Sequence, residues 1–335
     1  MRYSLSTNKR GRELSDWPTM MITIFACLFC WVMGCVYSVG FPLADGNTIL
    51  PAWEYFRKVL SNITVAYVAG VLLFLPVAYI IQRISDIEMF LHHRTRLPFM
   101  FFILLTSTNA GLLPIGEITI VLLCSIFMLY ELFNSYQKPE ATGLFFNAGV
   151  FVGVASLFTP QIFLVAPLLW IGMYQFRSLS FKSFMASFMG LTIIYWFALA
   201  WCVWKHDFSM FTLLYSSITD FDVLDFNFKY HHIGIICSTL LLIVAYIYIR
   251  IDAFSNSVRV RQMLSFLFNM AIWPLPLIFL YGNSSDTFLA MSYLPSSVLI
   301  AYLFDSAGRR LRFILYYFVL AVLVSSYVLR VWNFW

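Results

Sequence analysis

Residues 63–82 read ITVAYVAGVLLFLPVAYIIQ, twenty residues without a charge. A helix of about 20 residues is what a hydrocarbon layer about 30 Å thick requires. Apolar stretches of this kind recur from Met20 to Trp332, and the short polar segments between them hold most of the charge. The chain is 61% hydrophobic and 11% charged, against about 45–50% and about 25% for a soluble domain. Its 335 residues therefore read as a single integral-membrane domain, 1–335, an all-α polytopic transmembrane helical bundle.

Working outward from 63–82, about eleven crossings are expected. They lie near 19–41, 63–82, 97–112, 117–134, 143–158, 161–176, 182–204, 233–250, 263–281, 287–304 and 313–332. The charges test this order. With the N-terminus cytoplasmic, sixteen of the 21 basic residues fall inside and five fall outside: Arg57, Lys58, Lys205, Lys229 and Arg330. A wrong crossing count would scramble that positive-inside bias. The same spread over many short loops argues against nucleic acid as the partner of a chain with net charge +5. The first apolar run, Pro18 to about Gly40, is too long for a signal-peptide core and reads as a retained anchor. All six cysteines lie in or beside apolar segments, and the Cys27/Cys30 pair has no second ligand pair, so buried thiols are expected rather than zinc or redox chemistry.

Three polar regions stand out. Residues 1–17 form a basic cytoplasmic tail. The first outer loop, 42–62, contains Asp45 and a segment in which Trp53, Phe56 and Leu60 fall on one helical face, as in a helix lying in the membrane interface. The second outer loop, 205–232, holds Asp220, Asp222, Asp225, Lys229, His231 and His232. No matching pair of Gly/Pro-broken helices is visible, which with an odd crossing count argues against an inverted-repeat transporter.

Charged groups within the layer are costly and mark function, and this chain has almost none. Glu117 stands at the outer start of a span. It is either a wet carboxylate favoured by the helix dipole or a group facing a substrate. Asp45 is an ordinary loop acid, or else a general base on a sugar acceptor or a ligand of a divalent cation beside a lipid phosphate. The cluster Asp220, Asp222 and Asp225 offers oxygen ligands for a hard cation such as Mg or Mn, or belongs to an interfacial loop with Phe221, Phe226 and Phe228. Arg57, Lys58, Lys205 and Lys229 are the outer cations that a lipid phosphate would need. Asn147 lies in a span, where an amide usually bonds a neighbouring helix. Gly149 and Gly153 have the spacing of close helix packing.

The stretch Phe146-Asn147-Ala148-Gly149-Val150-Phe151-Val152-Gly153-Val154-Ala155-Ser156-Leu157-Phe158, with its Pro-containing hairpin and Leu169-Trp170, resembles an uncharacterised polytopic inner-membrane family of Bacteroidetes-type bacteria. Residues 112–117 and 294–302 share the resemblance, which implies an inner-membrane protein of the cell envelope. More loosely, the chain is similar to the GT-C superfamily of integral-membrane glycosyltransferases, in its N-inside first span, its first outer loop with an acid and an interfacial helix, and its Gly-Ala-rich helix before a Pro-broken hairpin. That resemblance implies transfer of a sugar from a polyprenyl-phosphate lipid, with Asp45 catalytic and Arg57 or Lys205 on the phosphate. A large C-terminal outer domain and an acidic pair in the first loop, both usual there, are missing. The alternatives are a non-catalytic scaffold or accessory subunit bound to other envelope membrane proteins, and a lipid or small-molecule transporter.

Overall fold

A computed structural model describes residues 17–37, 63–91, 95–109, 112, 114–221, 231–251, 257–306 and 309–332. Every regular element among them is a helix, the structure that satisfies its own backbone polar groups in lipid. In order they are α1 (Trp17–Tyr37), α2 (Ile63–Ile87), α3 (Leu97–Ser107), α4 (Glu117–Asn134), α5 (Thr142–Phe158), a 3-10 helix (Pro160–Val165), α6 (Ala166–Gln175), α7 (Phe181–Lys205) and α8 (Ser209–Thr219). There follow α9 (His231–Ile251), α10 (Val258–Ile272), α11 (Pro274–Leu280), a 3-10 turn (Gly282–Ser284), α12 (Ser285–Ser306) and α13 (Arg309–Trp332). Each apolar stretch of the sequence coincides with one of these helices or with a broken pair. Among the described residues, six segments are long and apolar enough to cross a membrane: Thr19–Val36, Thr64–Ile87, Glu117–Asn134, Phe181–Lys205, Val258–Leu280 and Gly282–Ser306.

The core is built around α12. Every residue from Thr287 to Asp305 is buried, and the helix packs against α3, α4, α9, α10 and α11. Its serines are satisfied within the helix. Ser292 Oγ donates to Leu289 O (2.8 Å), Ser296 Oγ to Ser292 O (2.6 Å) and Ser297 Oγ to Leu294 O (2.7 Å). Asp286 and Asp305, near its two ends, are separated by about 28 Å of helix, close to the hydrocarbon thickness of about 30 Å.

Side-chain pairs fix the relative directions of the helices. Trp31 donates to Ser107 (2.7 Å) and Arg96 approaches Met20 (3.6 Å), so α1 and α3 run parallel. Thr23 and Tyr316 share a hydrogen bond (2.9 Å) and Tyr327 donates to Cys30 O (2.6 Å), so α1 and α13 also run parallel. Against α3, α2 is antiparallel: Phe99 N–H reaches Gln82 Oε1 (3.4 Å) and Phe102 packs on Phe74 (6.3 Å). The α3–α12 pair is antiparallel too, through Phe101–Phe304 (4.9 Å) and Asn109–Asp286 (3.3 Å). Phe127–Phe151 (5.4 Å) and Glu131–Asn147 (3.2 Å) set α4 against α5. Gln175 donates to Gln262 O (3.1 Å) and Trp273 to Leu164 O (3.0 Å), so the sixth and ninth apolar stretches oppose each other.

The α5–α7 pair is parallel, and glycines set its close approach. A Cβ built on Gly149 would lie 2.2 Å from Ser187 O, one on Gly190 2.1 Å from Phe146 O, and one on Gly153 3.0 Å from Leu191 O. Tyr195 donates to Ser156 Oγ (2.8 Å) one turn further along. Small residues let backbones approach where lipid gives no hydrophobic drive for helices to associate. The obstacle at Gly149 and Gly190 is main chain, which cannot swing aside. Gly149→Leu and Gly190→Leu are therefore expected to destabilise the detergent-solubilised protein by about 3 kcal/mol, the upper end for overpacking. Gly143→Ala, with open space around it, is expected to melt like the wild type. Thermal unfolding of the three variants checks the contrast.

Candidate functional site

The two ends of the bundle differ. At the Glu88 end the backbone is regular and tightly packed. Gln82 Nε2 donates to Thr95 O (2.6 Å) and to Asp86 Oδ1 (3.1 Å), joining the end of α2 to the start of α3. Phe133 packs edge-on against Phe90, Phe176 and Phe266 (5.6, 5.8 and 6.4 Å). Three of the helices that stop here do so at left-handed residues: Met89, Gln137 and Arg177, with φ of 52°, 57° and 54°. Over this layer lies an ion pair, Arg259 Nη2 to Glu88 Oε2 at 2.8 Å, with the guanidinium 5.5 Å from the Tyr136 ring.

At the Glu117 end three apolar stretches are interrupted. In the third, α3 covers only about 16 Å. The described residues between α3 and α4, namely Thr108, Asn109, Leu112 and Pro114–Gly116, lie outside any α-helix, and the Ile115 N–H donates to Ala66 O of α2 (2.9 Å). The sixth begins as the 3-10 helix Pro160–Val165, and the ninth breaks at Trp273-Pro274 before the turn Gly282–Ser284. Non-helical backbone at membrane depth persists only where protein buries it or where it lines a wet cavity. Polar side chains gather at these breaks. Buried Asn109 donates to Asp286 Oδ1 (3.3 Å), and Asp286 sits in the first turn of α12. Thr159 Oγ1 donates to Glu117 Oε2 (3.2 Å), and Glu117 opens α4. Both carboxylates are half-buried at helix N-termini, where the dipole favours negative charge. The arrangement offers proton acceptors and amide and hydroxyl donors.

Of the residues singled out from sequence, Glu117 is the one placed at these breaks. Asp286, its counterpart on α12, was not foreseen; its signal was a carboxylate directly before an apolar, serine-rich run. Lys205 lies apart on the last turn of α7, 5.5 Å from the Trp201 ring. Asp220 is an exposed residue at the end of α8, and its N–H donates to Ser216 O (2.8 Å). Asp45, Arg57, Lys58, Asp222, Asp225 and Lys229 lie outside the described residues. Among the described residues no three His, Cys, Asp or Glu side chains converge as a metal site. Gly149 and Gly153 face α7, and Asn147 reaches Glu131 on α4. Cys27 and Cys30 are free and buried. The second outer loop contains a helix, α8, and the interruptions themselves were anticipated only at Pro160 and Pro167.

A family model, described as a family of unknown function (DUF6427), matches residues 52–334. The chain belongs to the DUF6427 family. The match takes in α2 through α13, and so Asn109, Glu117, Thr159 and Asp286. No curated protein and no solved structure matches the chain. Membership in DUF6427 thus supplies a shared unit and no activity, and the chemistry has to be argued from the site.

One consequence belongs to the Glu88 end. Burial pushes the Glu88 carboxyl above the usual carboxylate range, while the charge and hydrogen bonds of Arg259 pull it down only in part. A carboxyl easier to protonate in the folded chain gives stability that is full below its unfolded pKa. That stability is lost as pH rises through the folded one. Arg259→Met removes the lowering influences and widens that loss. The variant is expected to melt below the wild type at about pH 7 and to approach it at about pH 4, near the ordinary pKa of a glutamate. Melting curves across that range check it.

Proposed function

We propose that the chain crosses the inner membrane eleven times with its N-terminus cytoplasmic, and that it works at the Glu117 end, on the outer face. The helix directions support the crossing count. Parallel first and last helices require an odd number of passes, and the antiparallel pairs α2–α3, α4–α5 and α3–α12 fit strict alternation. The positive-inside bias supports the orientation.

The reading of activity is a GT-C-like glycosyltransferase that takes a sugar from a polyprenyl-phosphate lipid. The observation that carries it is the presence, at the end of the bundle where three stretches are interrupted, of two half-buried carboxylates, Asp286 bonded by Asn109 and Glu117 bonded by Thr159, in a chain only 11% charged. A lipid-linked donor would reach such a site sideways, its tail remaining in the bilayer. One carboxylate takes the proton of the acceptor hydroxyl as that oxygen bonds to the sugar C1. The C1–O bond to phosphate breaks with its electron pair, and the lipid phosphate leaves. Asp45 is the alternative base, in which case Glu117 is its support. Arg57, Lys58, Lys205 and Lys229 are the cations for the leaving phosphate.

Glu117→Gln and Asp286→Asn remove a base without removing bulk. If either carboxylate acts as base, its variant is expected to lose about 10²–10⁴-fold in transfer rate, measured with a radiolabelled polyprenyl-phosphate sugar in proteoliposomes at equal protein level. Wild-type transfer by both variants would leave Asp45 as the base, and no transfer by the wild-type protein would favour the non-catalytic scaffold instead.

A further inference from the structure

The segment after α7 carries a feature that the chemistry above does not use. α7 ends at His206, whose φ of 54° turns the chain back, and the Ser209 N–H donates to Asp207 Oδ1 (2.9 Å). That main-chain donor holds the Asp207 carboxyl below its ordinary range and starts α8 against the last turns of α7. Met210 and Leu214 of α8 are buried with Leu157, Ala198 and Cys202, and Met210 Sδ lies 3.8 Å from Cys202 Sγ. The inner face of α8 is thereby fixed.

The remaining surface of α8 has two characters. Its sequence, SMFTLLYSSIT, carries no charge. Leu213 is 51% exposed on one flank and Tyr215 72% on the other. Between them runs a ridge of Thr212, Ser216 and Thr219, whose hydroxyls donate to Ser209 O (2.7 Å), Leu213 O (3.1 Å) and Tyr215 O (3.0 Å). Hydroxyls bonded in this way need no water. At the C-terminal end, two of the carbonyls that every helix leaves open are taken by the bundle. Gln161 donates to Ser217 O (3.0 Å) and Tyr281 to Ile218 O (2.7 Å). Those two donors come from the interrupted sixth and ninth stretches. The neighbouring end of α7 presents Trp201 and Trp204 outward with Lys205 over Trp201, the composition of a membrane–water boundary.

We propose that α8 is an interfacial helix embedded in the lipid leaflet at the Glu117 end. Leu213 and Tyr215 lie against acyl chains and Thr212 faces the headgroup water. The occupant of its apolar flanks is lipid, because α8 packs through Met210 and Leu214 on Ala198 and Cys202 near the end of α7, where Trp201 and Trp204 are exposed, and because the helix carries no charge to keep it out of the layer. The inference goes beyond the glycosyltransferase reading and does not rest on it.

The test is fluorescence quenching in liposomes. Leu213→Cys, Tyr215→Cys and Thr212→Cys are each labelled with a bimane probe in the otherwise intact chain. Wild-type protein, with Cys27, Cys30, Cys124 and Cys202 buried, gives the background. Probes at 213 and 215 are expected to be quenched several-fold more by nitroxide-bearing phosphatidylcholine than the probe at 212. The probe at 212 is expected to respond to aqueous iodide. Iodide quenching at 213 and 215 equal to that at 212 overturns the proposal. So does quenching at 213 and 215 by neither agent, since another protein surface would then cover the flanks. None of these readings depends on sugar transfer.

Discussion

In hydrocarbon, a backbone polar group without a partner costs several kcal/mol by order of magnitude. That constraint makes the described chain helical, and it decides where the chain can afford to be anything else. Helix ends at the Glu88 end are closed by ordinary means: left-handed caps, an ion pair and a set of edge-on phenylalanines. Departures from α-helix within apolar stretches lie toward the Glu117 end, and they bond to one another or to neighbouring helices. Ile115 caps Ala66 O, Trp273 caps Leu164 O, and Tyr281 and Gln161 cap the end of α8. A bundle regular at one end and interrupted at the other has a direction, and the proposed function lies at the interrupted end.

The central helix gives that end its depth. α12 is buried from Thr287 to Asp305, so its first carboxylate, Asp286, is anchored by a rigid rod and not by a loop. Asn109, held where α3 gives out, supplies a donor to it. Glu117 is anchored in the same way by α4, and its partner Thr159 sits on the break between α5 and the 3-10 helix. Groups positioned by the ends of packed helices hold their geometry better than groups on free loops. The peripheral α7 touches this core through α5 alone among the larger helix contacts, by the mutual fit of Gly149, Gly153 and Gly190.

Much of the helical layout was legible because hydropathy reads the solvent directly. Each apolar stretch coincides with helix, and the Gly149-x-x-x-Gly153 spacing marks a close contact, though Gly190 across from it carries no such signature. Less could be read of the site. Lipid is as apolar as leucine, so a stretch facing lipid and one facing protein have the same hydropathy; the burial of α12 left only its serines and tyrosines as a trace. Asp286 was passed over because a carboxylate at a span boundary is ordinary in sequence and becomes notable only beside Asn109. α8 was hidden inside a loop whose acids suggest either a cation site or an interfacial loop, and neither reading requires a helix. Short stretches such as 97–112 and the prolines at 160 and 167 hinted at breaks, but only the folded chain brings breaks from three stretches to the same end.

The account depends on the two ends lying on opposite sides of the membrane. Asn283 marks the interrupted end and Gln137 the regular one, and both are exposed. Each is replaced in turn by cysteine and challenged with a membrane-impermeant thiol reagent in sealed, right-side-out vesicles. The account predicts labelling of Cys at 283 in intact vesicles and of Cys at 137 only after permeabilisation. Labelling of both from the same side would contradict it.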